Sequence, residues 1–247
     1  MTASGGRILA SDPARRAELV SALARVRSRI HDACAEVDRD VHALTLVAVT
    51  KGFPASDIAT LAELGVRDIG ESRDQHAKVK VAELAGSPTA GVLRWHFVGR
   101  LQTNKARSVS QYADVVHSVD RPEVVAALGA GATHAQRSID VFVQISLDDD
   151  PARGGISAPG MAALADLVAA SKRLRLLGVM AVVPMGADPD AAFGELSRLA
   201  AELRIAHPEA TAISAGMSAD LEAAIRHGAT HLRLGSALLG RRSPDVG

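Results

Sequence analysis

Most of what narrows this 247-residue chain is what it does not contain. It has one cysteine, Cys34, so no disulfide can close within it, and a lone thiol in a helix-like stretch reads as a small buried apolar residue kept in a reducing compartment. It has no excess of either charge. Basic and acidic residues number 28 each, which removes the usual footprint of a nucleic-acid surface, a polyanionic substrate or an anionic membrane and makes any charge-based function local. The opening MTASGGRILASDPARR lacks the apolar core of a signal peptide, and no later segment is long and apolar enough to span a bilayer, so a cytoplasmic protein is expected. The nine histidines show no zinc spacing, and the run Asp148, Asp149, Asp150 lacks the spacing of a metal loop and reads as solvated. No low-complexity linker divides the chain and no solenoid period recurs. Residues 1–247 are therefore read as a single domain, with 1–11 and 243–247 expected to be flexible ends.

What is present is alternation. Asp12 and Pro13 read as an N-cap and a proline in a first helical turn, and Leu19, Leu23, Val26, Ile30 and Val37 then recur at helical spacing, with RVRSRI as a solvated face. Eight apolar, β-branched runs follow: LTLVAVT, VRDIGE, WHFVGR, VVHSVD, VFVQIS, LLGVMAVV, TAISAGMS and HLRLG. Between them lie helical stretches such as 55–64, 160–171, 188–206 and 219–227, with Gly65, Gly86, Pro208 and Gly228 where helices should stop. Continuous rather than alternating apolar strands argue for a parallel sheet covered by helices, and the economical closure is a single (β/α)₈ TIM-type barrel with an extra N-terminal helix. An open doubly wound sheet is the runner-up, but no Gly-rich dinucleotide fingerprint follows the first strand.

In such a barrel, chemistry gathers at the C-terminal ends of the strands. Lys51, at the end of LTLVAVTK, stands at one of these ends, as does Glu71, a candidate base or cap. The segment SAGMSADLEAAIRHG places Ser214, Gly216, Met217 and Ser218 in a turn directly before a helix, with Ser218 as the expected N-cap, so that unpaired N–H groups face an anion; Asp220 would answer the same dipole without a ligand. RLGSALLG offers a second cradle at Gly235 and Ser236. Strand parity puts Arg233 and Gly235 on one face and Leu232 and Leu234 on the other; with the leucines under the helices, Arg233 points into the barrel mouth. A lysine facing a cradle of serine, glycine and arginine suits a phosphorylated aldehyde, and pyridoxal 5'-phosphate is the obvious candidate. Arg233 would either lower the lysine's pKa or meet the pyridine nitrogen. His96, between Trp95 and Phe97, reads as a hydrogen-bonded core histidine.

The motifs AVTK, IGES, WHFVGRLQTNK, HSVD, GVMAV, GMSADLEAAIRHG and RLGSALLGRR, in that order from the N-terminal helix to Arg242, resemble the pyridoxal-phosphate homeostasis family. The resemblance implies a barrel similar to the N-terminal domain of alanine racemase, with the cofactor as a Schiff base on Lys51. It also implies phosphate contacts from Ser214, Gly216, Met217, Ser218, Gly235 and Ser236, and Arg233 near the pyridine nitrogen. Ser72 and Ser146 stand where the family usually has asparagine, and Arg153 where it usually has lysine. The expected function is intracellular vitamin B6 homeostasis by a monomeric carrier, with pyridoxal-phosphate-dependent apoenzymes as recipients, no catalytic residue, no metal, and no membrane or nucleic-acid partner. The alternatives are a pyridoxal-phosphate-dependent racemase and a Schiff-base aldolase. Racemisation would need a second base, expected to be missing because the chain ends soon after its eighth strand and its one tyrosine, Tyr112, falls in the helical segment between strands three and four.

Overall fold

A computed structural model describes residues 11–148, 150 and 153–240. Asp149, Arg242 and the expected flexible ends lie outside these residues, apart from Ser11, whose hydroxyl donates to the Ser56 carbonyl oxygen at 3.0 Å and accepts from Thr60 at 2.7 Å.

The barrel strands are β1 (Thr45–Val49), β2 (Asp68–Glu71), β3 (Arg94–Phe97), β4 (Val115–Val119), β5 (Ile139–Gln144), β6 (Leu174–Met180), β7 (Ala212–Ser214) and β8 (His231–Leu234). They are parallel and close in sequence order, β8 pairing with β1 through Thr45 to His231 and Ala48 to Leu234. The helices are α1 (Pro13–Glu36), α2 (Ala55–Glu63), α3 (Asp74–Leu84), α4 (Thr103–Val109), α5 (Pro122–His134), α6 (Met161–Ala169), α7 (Pro189–Ala206), α8 (Leu221–Arg226) and α9 (Ser236–Leu239). The expected barrel with an added N-terminal helix is what forms.

Local chemistry accounts for most boundaries. Prolines occupy the first turns of α1, α5 and α7, where a missing N–H costs nothing. Asp188 caps α7 by accepting from the N–H groups of Asp190 and Ala191, whereas Asp12 sits at the start of α1 without a side-chain cap bond. Gly178 lies beside the register shift between β5 and β6, and a Cβ there would overlap the Ala212 carbonyl oxygen. Glycine at this position lets the backbones of β6 and β7 approach closely on the side away from the shift.

The main core lies between sheet and helices, filled by the outward side chains of the strands, such as Ala48, Ile69, Phe97, Val141, Leu232 and Leu234. The RVRSRI segment is not simply solvated. Arg27 donates to the Leu64 carbonyl oxygen, and Arg29 pairs with Glu222 of α8 and donates to the Ser218 carbonyl oxygen at 3.1 Å, so α1 straps the last elements of the barrel. Among the described residues no helix is long and apolar enough to cross a membrane, and no cluster of three His, Cys, Asp or Glu could hold a metal ion.

Candidate functional site

One cavity of about 660 Å³ opens at the C-terminal ends of the strands, within the range of small-molecule sites. Two further cavities lie at the opposite rim. Lys51, exposed in the turn after β1, lines the upper cavity together with Arg233 from β8; Phe53, Val98 and Val182 supply apolar wall. Among the described residues of that wall, Lys51 and Arg233 are the only titratable side chains.

The cradle is formed from two short loops. Met217, Ser218, Gly235 and Ser236 all line the cavity. Ser218 does not cap α8 as expected: the N-cap position is Asp220, and the Ser218 hydroxyl instead accepts from the Ala237 N–H of α9 at 3.0 Å, joining the two loops. Asp220 turns back to accept from the Met217 N–H, which takes that donor out of the cradle. The N–H groups of Ser218, Ala219 and Ser236 have no acceptor among the described residues. A Cβ added at Gly235 would lie 3.4 Å from the Val49 carbonyl oxygen, an ordinary contact, so the backbone there does not itself demand glycine. Gly216 has φ +89 and packs its Cα side against Ala224 and Leu232 rather than facing the cavity.

Arg233 is buried and points inward, while Leu232 and Leu234 enter the outer core. Its Nη1 donates to Ser214 Oγ at 2.6 Å and its Nη2 to the Ala181 carbonyl oxygen at 2.8 Å. Burial pushes the guanidinium down to about 10, which still leaves it cationic at neutral pH. Ser214 is fully buried beneath Arg233 and does not line the cavity.

Beneath that serine runs an arrangement that the sequence did not announce. Ser214 Oγ lies 2.8 Å from His117 Nδ1, His117 Nε2 lies 2.8 Å from His96 Nδ1, and His96 Nε2 lies 2.8 Å from Asp68 Oδ1. A carboxylate can only accept, so His96 donates from Nε2 and accepts at Nδ1. His117 must then donate from Nε2 and accept from the serine hydroxyl, whose oxygen accepts from Arg233. Every donor points one way, from Arg233 through Ser214, His117 and His96 to Asp68. Both histidines must be neutral for this, and burial holds both below the ordinary histidine value, His117 well below it with His96 and Arg233 adding to the effect. His231 stacks edge-on against Phe142 in the same interior, and burial lowers it to about 4. The inward alternation of β2, β3, β4 and β7 would have revealed these partners had it been read across strands.

Other singled-out residues fall elsewhere. Glu71 is wholly buried on the outer face of the sheet, paired with Lys80, and is neither a base in the cavity nor a cap. Tyr112 follows α4 rather than lying in a helix and packs into the outer core. Neither Ser72 nor Ser146 is among the described residues of the cavity wall. Arg153 donates to the carbonyl oxygens of Val182 and Val183, bracing one rim.

The alanine racemase N-terminal domain family model matches residues 23–243. A curated pyridoxal phosphate homeostasis protein of Mycobacterium leprae is 42% identical over 240 residues, covering 92% of this chain and 93% of its own. Its namesake in Escherichia coli K12 is 35% identical over 223 residues, covering 89% and 95%. Among solved structures, PipY of Synechococcus elongatus PCC7942 with PLP bound superposes with a TM-score of 0.78 at 31% identity, covering 90% of this chain and all of that one.

Proposed function

The chain belongs to the pyridoxal phosphate homeostasis proteins, and from that premise we propose that it is a carrier of pyridoxal 5'-phosphate that takes up the cofactor on Lys51 and helps regulate its free pool. The observation that carries the reading is one cavity with a primary amine on one wall, a buried guanidinium on another and two serine-glycine loops between them. The solved PipY structure with PLP bound, so similar in fold, supports the same ligand class.

These residues fit the group. When bound, pyridoxal phosphate supplies an aldehyde that a primary amine takes up reversibly as a Schiff base. Lys51 provides the amine. The Ser218, Ala219 and Ser236 N–H groups and the Ser236 hydroxyl provide donors for a phosphate, and their positions around α9 suit an anion. Arg233 lines the cavity and uses two of its five N–H groups on Ser214 and Ala181, which leaves donors that could serve a ring nitrogen. An arginine so placed holds its proton at neutral pH, so it orients the ring without protonating it and leaves it a weak electron sink.

A carrier is favoured over a racemase because no acid or base other than Lys51 and Arg233 stands on the described cavity wall, and Tyr112 packs into the outer core instead. The carrier acts in the cytoplasm as a monomer and passes cofactor to pyridoxal-phosphate-dependent apoenzymes. Borohydride reduction of cofactor-loaded protein followed by peptide mass mapping tests the assignment. A pyridoxyl adduct on Lys51, lost in a folded Lys51→Ala variant, is expected; an adduct on Lys78 or Lys105 instead would refute it.

A further inference from the structure

Behind the cavity, between the sheet and α3, a buried ion pair grips the residue that precedes Lys51. Thr50 is fully buried, and each of its polar atoms is engaged. Its N–H donates to the Gly70 carbonyl oxygen at 2.9 Å, and its hydroxyl donates to Glu71 Oε1 at 2.6 Å. Its carbonyl oxygen accepts from the Phe53 N–H at 3.0 Å and from Lys80 Nζ at 2.8 Å. Lys80 Nζ also donates to the same Glu71 oxygen.

A pair of this kind is a poor way to stabilise a fold. Removing an ammonium and a carboxylate from water is costly, and apolar residues of similar volume commonly do as well or better. Glu71 Oε2 even lacks a partner among the described residues, so the pair is not optimised for its own sake. What the two charges have in common is Thr50, held by Glu71 on its side chain and by Lys80 on its backbone. The chain turns immediately afterwards, and Phe53 and Lys51 from that turn both line the cavity. The carbonyl that Lys80 holds belongs to the peptide unit leading into Lys51, so a rotation there would swing the amine across the cavity mouth.

We propose that Glu71 and Lys80 are positioning residues for Lys51, acting from outside the site by clamping Thr50 so that the amine emerges at a fixed place on the cavity wall. The inference rests on Lys51 being the cofactor lysine, but it is testable apart from it. The variant is the double substitution Glu71→Met with Lys80→Met, which removes both charges and leaves neither unpaired. Two readouts are needed beside thermal melting: the rate of cofactor capture followed by absorbance, and trace acetylation of Lys51 relative to Lys105 across pH, quantified by mass spectrometry.

A midpoint equal to or above that of the parent is expected, together with cofactor capture slowed about tenfold or more, as misplacement of a reacting group by about an ångström would do, and a changed acetylation ratio for Lys51. Thr50→Val, which keeps the shape and loses only the hydroxyl, should move both readouts the same way by a smaller factor, and it carries the test where the double variant does not fold. Lys80→Arg alone, which keeps both charges, should show a smaller loss than the double variant. Parent-like capture and parent-like acetylation in the folded variants would overturn the proposal. If the parent captures no cofactor but its Lys51 acetylation still depends on Glu71 and Lys80, the clamp stands and the carrier reading fails.

Discussion

Ser214→Ala removes a single oxygen atom, yet the geometry gives it a large expected effect. The hydroxyl accepts from Arg233 at 2.6 Å and lies 2.8 Å from His117 Nδ1, and the serine has no exposed surface. Its loss leaves a guanidinium N–H and an imidazole nitrogen without partners in the barrel interior. A hydrogen bond from a charged group is worth about 1.5–3 kcal/mol and a neutral one about 0.5–1.5, so the variant should lose roughly 2–4 kcal/mol. For a domain of this size about 2–4 °C accompanies each kcal/mol, which places the fall in midpoint at roughly 5–15 °C. Calorimetry at pH 7.5, beside Ser236→Ala as a control, measures it. Ser236 is exposed at the start of α9, and its truncation should stay within about 0.5 kcal/mol of the parent. A Ser214→Ala midpoint indistinguishable from that of Ser236→Ala would remove the serine from any energetic link between Arg233 and the histidines.

The buried histidines make stability depend on pH. Their folded values are lowered, so between those values and the unfolded value near 6.5 the unfolded chain binds more protons; stability is present above that range and is lost as pH falls. His231, lowered to about 4, alone accounts for about 3 kcal/mol of loss by pH 4, so urea melts from pH 7 to 4.5 should steepen in the parent and flatten in His231→Gln; parallel curves would disprove the contribution. Arg233→Gln should loosen cofactor retention about tenfold or more, whereas Arg226→Gln, on the outer surface against Asp190, should leave it unchanged, and equilibrium dialysis compares them. Cofactor-loaded protein incubated with alanine or serine should show no racemisation by chiral chromatography; turnover near 1 per second, abolished by Lys51→Ala, would make the chain an enzyme.

The barrel was legible because its evidence is local: eight runs such as VFVQIS, each bounded by turn residues, carry the strand signal in themselves. Parity alone placed Arg233, since a strand's alternation needs no partner to be read. The failures share a cause. Ser218 looked like a cap for the helix that follows it in sequence, but its hydroxyl serves Ala237 of α9, nineteen residues on, and only the pairing of β7 with β8 brings those loops together. Glu71 looked like a candidate for the mouth because it ends a strand; the parity that turned Arg233 inward turns Glu71 outward, to Lys80. His96 was rightly read as a bonded core residue, but its partners come from β2 and β4, which nothing within WHFVGR specifies.

The one-way run of donors from Arg233 to Asp68 also constrains how this interior can change over time. A hydrogen-bonded row of this kind cannot be edited a member at a time: exchanging His96 for a residue that only donates, or Asp68 for one that does, forces a reversal along the histidine links up to Ser214, whose oxygen must then accept from both sides because Arg233 can only donate. Asp68, His96, His117 and Ser214 sit on four different strands and are far apart in sequence, yet they form one heritable unit. Substitutions among them should be tolerated in sets rather than singly, and a chain that abandons one should be found to have replaced its neighbours with apolar side chains.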